Sequence, residues 1–119
     1  MAAPNIVNVT TIIGKTAVQQ ITTAATAIVT NSAASGKVFK INSLVVANVD
    51  GVNSADITVE FFRSSVAYDI AKTVTVPADA TLVIISKDTS IYLEEGDSLR
   101  CAASANSVLE CVCSYEEIS

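Results

Sequence analysis

Residues 91–119 read IYLEEGDSLRCAASANSVLECVCSYEEIS, and this stretch decides the fold. Apolar residues alternate with polar ones on both sides of Ala105-Asn106-Ser107. Alternation with period two is the mark of a half-buried strand, because successive side chains point to opposite faces. The segment therefore predicts a β-hairpin organised by the turn Glu94-Glu95-Gly96-Asp97 and the loop Ala105-Asn106-Ser107, with Asn106 or Ser107 in the left-handed conformation. In that hairpin Cys101 faces Cys111, and Leu99, Cys101, Ala103, Leu109, Cys111 and Cys113 share one face. With no histidine and only three cysteines, these thiols fall short of a zinc ligand set and are expected to be reduced, buried, small apolar side chains.

Moving towards the N-terminus, the same periodicity recurs. Ile91–Leu93 and Leu82–Ser86 are short strand candidates, and Tyr68–Val76 is a longer one that Pro77 stops, since proline has no N–H for the ladder. Ile57, Val59 and Phe61 alternate with Thr58, Glu60 and Phe62 in a strand that ends near Arg63 and turns at Ser64-Ser65. Val38–Val49 is the longest candidate; simple alternation puts Phe39, Ile41, Val45, Ala47 and Val49 on one face and Lys40, Asn42 and Asn48 on the other. Asn31–Gly36 is a turn by composition. Ala27–Thr30 reads as a strand, and Gln19–Ala25 as irregular or strand, because its threonines are poor helix formers. Asn5–Ile13 is the first strand candidate, closed by Gly14-Lys15.

About eight short strands separated by turn signals predict an all-β protein, an antiparallel two-sheet sandwich of jelly-roll or Ig-like type, formed by residues 1–119 as a single domain. A chain of 119 residues can bury enough surface to fold unaided. Its apolar half is built from Ala, Val and Ile, and only 16% of residues are charged, against roughly 25% in ordinary soluble domains. So few charges suggest that a partner covers part of the surface. Residues 1–13 carry no charge and form an N-terminal arm or edge strand in which Ile6, Val7, Val9, Ile12 and Ile13 are the subunit-contact candidates.

The same residues exclude several classes of function. The net charge is −5 and the seven basic residues are scattered, which argues against nucleic-acid binding. No apolar run reaches membrane-spanning length, so neither membrane insertion nor a signal peptide is expected, and synthesis falls in the cytoplasm. Glu94, Glu95 and Asp97 are the densest acidic cluster, and a solvated turn explains them better than a calcium or hydrolase site. No base stands ready to activate a serine or cysteine. No catalytic residue, cofactor or metal is expected.

Three segments carry a resemblance. Ala67–Pro77 (AYDIAKTVTVP), Thr81–Lys87 and Ile91–Arg100, with its LEEGDSL core, lead into Ala102–Glu117, which ends in SYEE. Together they are similar to small structural proteins of tailed bacteriophages, including phages of marine cyanobacteria. The likeness covers about the last half of the chain and is weaker over Val38–Val59. It implies a β-sandwich virion component with no enzymatic residues. Its partners would be other virion proteins, the major capsid protein or tail proteins, and the favoured oligomer a homotrimer. A head-decoration or cement protein fits the short chain best, a tail, neck or fibre component is the alternative, and a carbohydrate-binding module using Tyr68, Tyr92 or Tyr115 is a further one.

Overall fold

A computed structural model describes residues 4–119. Nine strands follow in order: β1 (Ile12–Gln20), β2 (Thr26–Thr30), β3 (Val38–Asn48), β4 (Ala55–Arg63), β5 (Val66–Val76), β6 (Thr81–Ile85), β7 (Ile91–Leu93), β8 (Ser98–Ala103) and β9 (Leu109–Ile118), with a single 3-10 turn at Lys87–Thr89. Two antiparallel sheets result. One runs β1-β9-β3-β6 with β7 continuing the β6 lane against β3, and the other runs β2-β8-β4-β5.

This order follows from one long ribbon. β4 and β5 form its closing hairpin, and the pairs β3 with β6 and β7, β2 with β8, and β1 with β9 follow outward from it. Rolling the ribbon sends successive pairs to alternate sheets and sets β9 against β3 and β8 against β4. The product is a jelly roll, which buries the apolar faces of both sheets against each other. Ile41, Leu44, Val46, Leu109 and Cys113 from the first sheet meet Ile57, Val59, Leu99 and Cys101 from the second in a core without solvent access.

The expected sandwich is therefore present, while four local expectations are corrected. First, β8 and β9 are not a hairpin. They pair with different strands in opposite sheets, because the connection Ser104–Val108 is long enough to cross the roughly 10 Å between sheets. Ser107 does take the left-handed conformation, at φ 63°. All six residues expected to share one face are buried, but they line the core from both sides. Second, Asn5–Thr11 is not strand. The Asn5 side chain accepts the Val7 N–H at 3.0 Å and its carbonyl accepts the Asn8 N–H at 3.0 Å, so asparagine turn chemistry overrides the β-propensity of Ile6 and Val7.

Third, Gly14 and Lys15 do not close a strand; they lie inside β1, opposite Glu116 and Tyr115. Fourth, the faces of β3 exchange midway. Ile41 pairs with Tyr115 but Ser43 with Ser114, so Asn42 is an inserted residue, a β-bulge. Beyond it Leu44, Val46 and Asn48 point inward, while Val45, Ala47 and Val49 face out. β5 departs from simple alternation for the same reason: its pairing with β4 shifts twice, and Thr73 sits at φ 45°.

Polar clasps close the two ends of β3. At its start, Asn31 is fully buried; its amide donates to the Lys37 and Leu93 carbonyls, and its Oδ1 accepts from the Ser35 hydroxyl. At its end, Asn48 donates to the Asn53 and Val76 carbonyls and accepts from the Asp50 N–H. Neither can be replaced by an apolar residue without orphaning buried carbonyls.

Candidate functional site

The acidic turn is a structural joint. Gly96 has φ 90°, and the Asp97 carboxylate accepts the Glu94 N–H at 2.8 Å. Glu94 is exposed as expected, whereas Asp97 is buried. Its two oxygens take Arg63 Nε at 2.8 Å and Nη2 at 2.6 Å, a bidentate pair that fastens the turn to β4. These bonds to Asp97 hold the Arg63 guanidinium charged well beyond its ordinary range. Among the described residues no group of three or more His, Cys, Asp or Glu side chains could hold a metal ion, and every buried side-chain nitrogen or oxygen has a partner.

The cysteines are equally enclosed. Cys101, Cys111 and Cys113 are free and buried. Hydrogen bonding to the Cys111 sulfur, followed by burial, pushes the Cys101 thiol far up, and burial pushes Cys113 up to about 12. Cys101 and Cys113, held protonated in an apolar core, are poor nucleophiles, whereas the hydrogen bond from Cys101 lowers Cys111 against the effect of its burial. Cys101 and Cys111 do approach each other, but across the core rather than along a hairpin.

Part of what the fold leaves exposed is apolar. On the outer face of the first sheet, Val18 pairs with Val112, Val112 with Val45, and Val45 with Val83, a row of valines crossing all four lanes. Val18 is 72% exposed and Val83 58%. Sequence reading missed this row because it needs the register of four strands and the β3 bulge, which alone turns Val45 outward. Of the expected contact residues, Ile6, Val7, Ile12 and Ile13 are exposed and Val9 is half-buried. Ile12 and Ile13 open β1; Ile6, Val7 and Val9 lie in the turn before it, and Met1–Ala3 lie outside the described residues. Pro4 and Ile6 share a shallow hollow with Val38, Tyr92 and Glu94.

The sheet edges differ in how they are protected. β2 is five residues long and bulged, β6 is five long with a register shift, β7 is three long, and β5 carries two shifts. Such short or bulged edges resist pairing with other chains. β1 has none of these defences. All nine of its residues pair one-to-one with β9. Its one charge, Lys15, is turned to Glu117 at 2.7 Å.

No protein-family model matches the chain, and no curated protein matches its sequence. Among solved structures, a protein of Bacillus endospore appendages, which form a novel family of disulfide-linked pili, superposes with a TM-score of 0.54 at 14% identity. The match covers 92% of this chain and 88% of that one, so the two share the sandwich fold over nearly their whole lengths.

Proposed function

We propose that this chain is a non-enzymatic structural subunit whose work is to dock against other protein subunits, and that its place is on a virion, as a decoration protein bound to the assembled head lattice. The observation that carries the first part is the pairing of an undefended strand edge with an uncovered valine row on the same sheet. Surfaces of this kind bind by strand addition and apolar burial. The virion placement draws on the phage-like segments Ala67–Pro77 and Ile91–Glu117. A decoration protein of this sort would be made in the host cytoplasm and bind only the completed shell, stabilising it by mass action.

A second reading, a subunit of a surface filament, is favoured by the likeness to the endospore appendage protein. That protein belongs to disulfide-linked pili. Here all three thiols are buried, so this chain would assemble without covalent links between copies. The carbohydrate-binding reading finds less support: Tyr115 stacks on Phe39 at 5.5 Å, and the exposed Tyr68 and Tyr92 stand on different sheets instead of forming one platform.

Quantitative protein analysis of purified particles tests the placement. Copies in proportion to head lattice sites support decoration, and a few copies per particle would move the chain to the tail or neck. Absence from particles, with filament formation by the purified chain, would replace the virion reading with the filament one.

A further inference from the structure

We infer that β1 pairs antiparallel with β1 of a second copy of this chain, about a twofold axis at Thr16, joining the two first sheets into one. This rests on the structural-subunit reading and supplies its first contact.

The direction of the free backbone groups is fixed by the bonds at each end of the strand. Thr11 and Ser119 exchange two backbone bonds, at 2.9 and 3.0 Å, and Ile21 N–H donates to the Leu109 carbonyl at 2.9 Å. Pairing with β9 is unbroken between them. Odd-numbered residues therefore spend their N–H and C=O on β9, and Ile12, Gly14, Thr16, Val18 and Gln20 aim theirs away from the molecule. An isologous antiparallel partner must keep outer face against outer face, so its register must match even residues with even ones. Centring on Thr16 pairs Ile12 with Gln20 and Gly14 with Val18, and it alone engages every outward group of the strand.

Two side-chain observations favour the same register. Centring on Lys15 would set the two Lys15 side chains directly opposite each other, whereas centring on Thr16 sets Lys15 against Ala17. Val18, 72% exposed, then lies over Gly14 of the second copy, where a side chain would meet nothing within 4 Å. The exposed end of the valine row is covered by the contact. The three blunted edges of the fold explain why β1, and not another strand, is the one that pairs.

The test is the oligomeric state of the full chain by sedimentation velocity across the micromolar to millimolar range, with Thr16→Pro as the variant. The Thr16 N–H points outward, so proline there spares the β9 ladder and blocks the partner. The expected result is a dimer that becomes a folded monomer in T16P, with unchanged far-UV circular dichroism. Should T16P fail to fold, Thr16→Cys decides. The native thiols are buried, and the paired Thr16 positions would stand about 5.5 Å apart, within disulfide reach. Mild oxidation should link T16C into a covalent dimer but not Val18→Cys, whose copies would be about 14 Å apart. A wild-type monomer throughout the range, a dimer untouched by T16P, or V18C linking as readily as T16C would overturn the pairing. The structural-subunit reading would survive any of these if the chain is still found in particles or filaments.

Discussion

At the scale of single residues, buried polar groups fix the ends of this sandwich. Asn31 was legible only as a turn former; nothing local announces that its amide closes two carbonyls on separate segments, because Leu93 lies 62 residues away. Replacing Asn31 with Ala orphans the Lys37 and Leu93 carbonyls, and urea unfolding should show a loss of about 3 kcal/mol. Glu117 offers a pH-dependent counterpart. It is nearly buried, and hydrogen bonds from Lys15 and then Lys37 hold its carboxyl below its ordinary value of 4.5. A lowered folded-state value means that the ion pair adds its full stability above pH 4.5 and loses it as the pH falls through the depressed value. Both lysines are partly exposed, which limits the contribution to about 1 kcal/mol. Glu117→Gln should therefore be about that much less stable at neutral pH, and chemical denaturation in acid should show the gap to wild type closing.

At the scale of elements, strand existence was far more legible than strand partnership. β4 and β7 end where their alternation and turn residues say, since Ile57, Val59 and the turn at Ser64-Ser65 carry local signals. β3 shows where local signals stop. Val45, Ala47 and Val49 form as good an apolar alternation as Leu44, Val46 and their neighbours, so the pattern fits either phase, and the bulge at Asn42 imposed by pairing with β9 chooses between them. The valine row was hidden by the same ambiguity. The β4–β5 turn yields a prediction of its own. Ser64 and Ser65 both sit at positive φ, 52° and 62°, the geometry of a type I′ turn that Asn-Gly adopts with least strain. The double change Ser64→Asn, Ser65→Gly should raise stability by about 1 kcal/mol in thermal and urea unfolding, and an unchanged midpoint would contradict the strain argument.

At the scale of the whole molecule, the rolled ribbon sets the residues just before β1 against the C-terminus, with Thr10 and Thr11 bonded to the Ser119 carbonyl at 2.8 and 2.9 Å. The ribbon's outermost pair is β1 with β9, extended by the two bonds between Thr11 and Ser119, so among the described residues those from Pro4 to Thr10 lie outside the paired strands. That separates two roles the sequence had merged in one arm: Ile12 and Ile13 belong to the sheet, while Ile6 and Val7 are exposed apolar residues held by an asparagine turn. Removing residues 2–11 deletes the Thr10 and Thr11 bonds but no residue of β1, and should lower stability by only about 1–2 kcal/mol. If the arm is a docking element, the truncated chain should keep its far-UV spectrum and its cooperative unfolding yet fail to enter assembled particles. Incorporation equal to that of the full chain would place docking on surfaces the deletion leaves intact, the β1 edge and the valine row among them.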